Sequence, residues 1–370
     1  MTVAPGFTHG GVAITGIGLV SPLGRTPETV WEQWSLGRSA AAPITRLDAR
    51  TLPVQIACEV RDFDPRNEVR NRKLLRLMIG GEDFGFTAAA AAIAQAKLEN
   101  ALEEHSLDHT RCGVCIGCHK EGFRHQQLED AFLAALDSDG SIDRKKFVTE
   151  GWSRVPPQVI IEALPNIGLY YIAHEFGLQG PNYNILSVGV GGLQSLAEGM
   201  HTIVEGEADA MVAGAFDSWV NWMCIRHNQF TGILSPSQEP PETVHRPFDE
   251  TRSGSVPGEG AGMFILESPD SAQRRGAEVL GRLLGAASTC GVPTHSKDAA
   301  AEALAHCITQ ALASADCEPR DIELIQLHGD ATPTGDWIEA RGIATALGEH
   351  AQIVPATTIK SATGLMGNAS

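Results

Sequence analysis

Residues 185–196, ILSVGVGGLQSL, have the form of a stretch that presents a reactive group. A short apolar run, Ile185 and Leu186, enters a corner dense in glycine at Gly189, Gly191 and Gly192, and a helix-like stretch begins at Leu193. A strand that turns sharply into a buried helix commonly carries a nucleophile or an anion site at the turn, because the helix end offers unpaired amides and a positive dipole end. Here the corner holds glycine and valine, with nothing to attack or coordinate. The second concentration of reactive side chains is CGVCIGC, with Cys112, Cys115 and Cys118, which suggests metal or iron–sulfur ligation. A strand of period 2, however, sends Cys112 and Cys118 to one face and Cys115 to the other. No matching CxxC lies elsewhere, so the stretch reads as a buried strand and no metal is expected. Cys224, in NWMCIRHNQF, reads as a packed thiol.

The 370 residues that must hold these groups allow one large or two fused domains with ample core. The chain is 43% hydrophobic and 20% charged, the composition of an ordinary globular protein. Its formal charge of −17 argues against a nucleic-acid surface and against anionic membranes. An acidic carrier protein stays compatible, because a local basic patch survives a negative total. RNEVRNRKLLR, Arg66 to Arg76, is one candidate patch, although a solvated helix start explains it more simply. No stretch approaches the ~20 uninterrupted apolar residues of a membrane span. The opening MTVAPGFTHGGVAITGIG lacks a charged n-region and a signal-peptide core, so a cytoplasmic protein with free thiols is expected.

Short β-branched runs alternate with alanine-rich helical ones, which indicates an α/β architecture. VAITGIGLV (12–20) reads as a strand, TPETVWEQWSLG (26–37) as a capped helix, and FGFTAAAAAIAQAKLENAL as one nearly all-apolar buried helix. CGVCIGC, NYNILSV and ADAMVAGAFDS read as strands, with GLQSLAEGMHTIVEG as a helix before the last of them. SDGSIDRKKFVTEGWSRVPP (138–157) is a polar, irregular insertion. From GMFILES (262–268) the pattern begins again: VLGRLLGAAS, IELIQLHGD and QIVPATTIKS read as strands, AAAEALAHCITQALASA and DWIEARGIATALG as helices. The two halves share one β/α grammar. The proline-rich stretch 235–262 is the expected linker, and a loop of that length is uncommon unless it is functional.

Within that loop, RPFDETRSGSVPGEGAGMFILE resembles the RPFD–GEGAG segment of β-ketoacyl synthases, the thiolase-fold condensing enzymes of fatty-acid and polyketide assembly. Other landmarks follow in order. VAITGIGLVSPLG looks like the family's opening strand, and VRDFDP with RKLLRLM like the region before its first long helix. FGLQGPNYNILSV with GLQSLAEGMHTIVEGEADAMVAGAFDS is similar to its nucleophile strand, the helix behind it and the next strand. LHGDATPTGDWIEA is similar to HGTGTPLND, and IKSATGL to KSxxGH. The resemblance spans residues 12 to 367 and implies an α/β thiolase-like fold, two duplicated βα halves in five αβαβα layers. It places the halves at 1–258 and 259–370, the second shortened at its end relative to active members.

The family's chemistry needs a cysteine thiolate at the strand-to-helix corner to accept an acyl group from a carrier protein's pantetheine, with two histidines and a lysine beside it. The resemblance puts Gly189 at the cysteine, His328 at the first histidine, Lys360 at the lysine and Leu365 at the second histidine. No acyl–enzyme forms on glycine. Ser187 and Ser195 are the nearest hydroxyls, but a serine needs a close base. Asp330 and Asp336 are candidate ion-pair partners of Lys360. An intact fold without the cysteine is similar to the chain-length factor of type II polyketide synthases. That subunit is non-catalytic, pairs with an active ketosynthase through the strand corresponding to NYNILSV, and shapes an acyl tunnel at the seam. The resemblance thus assigns Asn184, Leu186, Val188, Gly189, Val190 and Gly191 to the dimer seam and tunnel. It implies an acyl carrier protein presenting phosphopantetheine as a further partner, and no cofactor, nucleic acid or membrane. Glutamine often stands at the missing cysteine in such factors and is linked to malonyl decarboxylation, so glycine argues against a priming decarboxylase. The alternative is a degenerate enzyme using His328 and Lys360 for acyl transfer, decarboxylation or cyclisation.

Overall fold

The computed structural model describes residues 11–69, 71–119, 126–291 and 296–370. Arg70 of the candidate basic patch and the first ten residues lie outside that set. The strands β1 (Val12–Val20), β2 (Cys112–Cys118), β3 (Asn182–Leu186), β4 (Ala210–Ser218), β5 (Glu259–Glu267) and β6 (Gly281–Leu283) form one sheet in the order β3–β2–β4–β5–β1–β6. β2 runs parallel to both β3 and β4, whereas β5 is antiparallel to β4 and β1, and β6 antiparallel to β1. Among the described residues β3 therefore has a neighbour on one side only.

Helices cover both faces. The alanine-rich α1 (Glu82–Gln95) lies against β1 because the strand offers no side chains there. A Cβ on Gly16 or Gly18 would stand 2.2 or 1.9 Å from the carbonyls of Ala92 and Ala88. This face also buries Leu169, Tyr171 and Ile172 of α2 (Ile167–Glu175) together with Cys112, Val114, Ile116 and Cys118 of β2. Cys115 joins the opposite core with Met200 and Ile203 of α3 (Gly191–Val204), as the period-2 reading of the cysteines requires. The expected single helix over 84–102 is instead two, because Lys97 adopts φ +54 and a second helix runs Leu98–Glu103.

The second half pairs the long helices α4 (Lys297–Ser314) and α5 (Pro333–Leu347) beside a two-stranded parallel sheet of β7 (Ile325–Gln326) and β8 (Ala356–Thr357). Its strands are shorter than the hydrophobic runs suggest. A strand is defined by its hydrogen-bonding partner; among the described residues only these positions have one, and Leu324 and Ile353 remain exposed. β5 and β6 belong to the first sheet, so the stretch from 262 completes that sheet before the second β/α set begins.

The stretch 235–262 is stitched to the 328–336 loop. Gly254 N–H donates to the Ala331 carbonyl (2.9 Å), Phe248 N–H to Asp336 Oδ2 (2.6 Å), and the Ser255 hydroxyl to the Asp330 carbonyl. The insertion at 138–157 forms short helical turns over Arg144–Lys146, Phe147–Gly151 and Trp152–Arg154. No helix among the described residues is long and apolar enough to cross a membrane.

Candidate functional site

The glycine corner lies where β3 ends and α3 begins. Ser187 N–H still bonds the Cys118 carbonyl (3.2 Å), and α3 starts at Gly191 without a side-chain cap from Val190. Two glycines two residues apart do different work. A Cβ on Gly189 would meet no atom within 4 Å, and its backbone is not left-handed, so the position is open to a side chain it does not have. A Cβ on Gly191 would stand 2.7 Å from Asn368 Oδ1 and 3.1 Å from Gly117 Cα. Gly191 is thus buried within the chain, against Asn368 and the backbone of β2, and a side chain there would clash with both.

The other expected seam residues lie outward. Leu186, Val188 and Val190 are 58%, 48% and 55% exposed, and Leu193 just beyond is 75% exposed. Asn184 is half-buried, its Oδ1 3.7 Å from Cys118 Sγ. Ser187 Oγ accepts the amides of Gly189 (3.4 Å) and Val190 (3.2 Å), and fully buried Ser195 donates to the Gly192 and Gly214 carbonyls at 2.7 and 2.8 Å. Both hydroxyls are engaged with backbone, and neither is held by a base.

His328 and Lys360 come together as expected. Lys360 opens the short helix α6 (Lys360–Thr363), is 3% exposed, and its Nζ stands 2.9 Å from His328 Nδ1. With Nδ1 accepting, the neutral imidazole carries its proton on Nε2. Burial lowers the Lys360 pKa to about 8, opposed by Glu339 and Asp330. His328 keeps solvent access on one side, yet burial of its ring and then the Lys360 ammonium push its pKa down. Buried His245 is pushed down to about 4, mainly by burial; its Nε2 donates to the Gly329 carbonyl (3.2 Å) and its Nδ1 accepts from Val256 N–H (3.4 Å).

The expected carboxylate partners of Lys360 are corrected in part. Asp330 contributes charge nearby, but Asp336 turns to Arg252 (3.0 Å) and to the amides of Phe248 and Ala331. Glu339, missed in the sequence, takes the amides of His328 (2.5 Å) and Gly329 (2.8 Å) and adds negative charge toward Lys360. It follows Asp336 by three residues on α5, a spacing that puts both on one face beneath the loop. Leu365 packs with Trp219 and Cys224 in a small apolar cluster, so Cys224 is a packed thiol. Burial raises the Cys112 and Cys115 thiols to about 12, which leaves them inert. In the candidate basic patch, Arg66 is held by Asp64 at 2.7 Å.

Comparison with known proteins gives the same family throughout. Residues 10–272 match the model of the beta-ketoacyl synthase N-terminal domain, and 280–370 that of its C-terminal domain. The chain is 32% identical over 357 residues to 3-oxoacyl-[acyl-carrier-protein] synthase 2 of Coxiella burnetii, covering 96% of this chain and 81% of that one. It is 30% identical over 355 residues to the Staphylococcus aureus (strain COL) protein of the same name, covering 95% and 81%. Among solved structures, the ishigamide ketosynthase/chain length factor superposes with TM-score 0.80 at 26% identity, covering 98% of this chain and 83% of that one. A type II PKS acyl-carrier protein in complex with its ketosynthase bound to the hexaketide gives 0.75 at 26%, covering 97% and 83%. A beta-ketoacyl synthase from Burkholderia phymatum gives 0.82 at 23%, with the same coverage, and shows the shared thiolase-like fold.

Proposed function

The chain belongs to the β-ketoacyl synthase family, and on that premise we propose that it is a non-catalytic, chain-length-factor-like subunit. It pairs with an active ketosynthase and shapes the tunnel for a polyketide or fatty acyl chain. The observation that carries this reading is Gly189: the corner, the strand before it and the helix behind it are kept, and no side chain stands where the resemblance puts the acyl acceptor. Leu365 in its apolar cluster removes a second catalytic position. The open edge of β3, continued by exposed Leu186, Val188, Val190 and Leu193, is the surface offered to the partner. Strand addition there supplies backbone hydrogen bonds. Covering the part of each of those side chains that is exposed contributes about 1–2 kcal/mol, against the cost of association. An acyl carrier protein presents the phosphopantetheine thioester, and the partner subunit's cysteine accepts the acyl group.

Co-expression with the ketosynthase should yield a stable heterodimer, and Val190→Asp or Leu193→Asp should abolish copurification while the chain stays folded by circular dichroism. A stable homodimer that ignores the ketosynthase contradicts the proposal. The retained Lys360–His328 pair and the catalytic curated relatives favour a second reading, an enzyme acting on carrier-bound substrate without a covalent intermediate. In that case His328→Ala abolishes turnover by the chain alone and spares the fold.

A further inference from the structure

Three successive corner amides, those of Gly189, Val190 and Gly191, are taken by the chain's own side chains, the last of them the first amide of α3. Ser187 Oγ accepts those of Gly189 and Val190, and Asn368 Oδ1 accepts that of Gly191 at 2.7 Å. Asn368 is 3% exposed and its carboxamide has one orientation that satisfies its surroundings. Nδ2 donates to the Ser187 carbonyl (2.6 Å) and to Asp217 Oδ2 (2.8 Å), which leaves Oδ1 for Gly191. Asp217, fully buried, also accepts the Asn368 amide (2.6 Å) and, on its other oxygen, that of His119 (2.6 Å). Both ends of the clamp are therefore held inside a buried network, where hydrogen bonds are strongest and a loose carboxamide is costly.

We infer that Asn368 is a positioning residue that closes the corner, consuming the helix-end amide that would otherwise steady a thiolate or an acyl oxyanion beside position 189. The corner is then altered twice over: no acceptor side chain stands at Gly189, and the nearest helix amide that would support one is occupied. Helix-end charge acts within the first turn, so filling the Gly191 amide from inside removes part of what a corner thiol would gain. The segment that carries Asn368 also carries Lys360, so one stretch ties His328 to the corner through side chains at both its ends.

A reporter thiol tests this. Gly189→Cys places a cysteine in open space, and the pH dependence of its alkylation by iodoacetamide gives its pKa. The thiol should titrate near the unperturbed value of about 8.5. In Gly189→Cys with Asn368→Ala, the freed Gly191 amide should lower that pKa by about one unit. Gly189→Cys with Ser187→Ala frees the outer amides without touching the buried network, and should lower it by less; this pair decides the matter where the Asn368 variant does not fold. A thiol already low in Gly189→Cys alone, or unchanged in both double variants, overturns the inference. It rests on the corner's being non-catalytic in the proposed function. The pKa is read on the isolated chain, however, so a failed closure and a failed partnership are separate results.

Discussion

At Lys360 an ammonium group is 3% exposed and faces an imidazole, with Glu339 and Asp330 as its compensating charge. Its pKa of about 8 lies below the ordinary 10.5. Between those values the unfolded chain holds a proton that the folded chain has lost, so stability rises with pH from about 8 toward 10.5. Urea unfolding across that range should show the rise, and Lys360→Met should flatten it; an equal slope in both proteins would place the ionisation elsewhere. His328, Lys360 and the two substituted positions were legible because each sits inside a short motif of fixed spacing. Glu339 and Asn368 were not: what they do is set by contacts with residues 328–329 and 187–217, which no local pattern encodes.

Gly189 and Gly191 look alike in ILSVGVGGLQSL, and their separation is a matter of how elements pack. Gly191 lets the start of α3 approach β2 at Gly117 and receive Asn368, whereas Gly189 projects into open space. Gly191→Ala should cost about 1–3 kcal/mol through overpacking. Gly189→Ala should stay within about 0.5 kcal/mol of the parent. Urea midpoints measure both, and equal losses would mean that the corner packs uniformly. The long strands of the first sheet were readable, since each is held by a neighbour along most of its length, whereas in the expected strand 279–288 only Gly281–Leu283 pairs. In the second half, the runs at 322–330 and 352–361 carry the same apolar signal, yet pairing is confined to two residues in each. Hydrophobic pattern reports which residues seek burial; the partner strand decides where a ladder forms.

As a whole molecule, the chain keeps the family's scaffold, and glycine stands at position 189, where the resemblance puts the acyl acceptor. Its apolar corner is exposed, and the outer edge of β3 has no ladder partner among the described residues; in the proposed function this is the surface the partner covers. The net charge of −17 is compatible with this, because the seam residues are uncharged. Family membership was legible from landmarks spread over 12 to 367. The side of the corner that stays open needed coordinates. Mass spectrometry of the intact heterodimer after loading with an acyl-phosphopantetheinyl carrier protein tests the central claim most directly. The expected result is the whole acyl mass on the ketosynthase subunit and none on this chain. Acyl mass on this chain, or loading that proceeds equally well when it is alone, would contradict the claim.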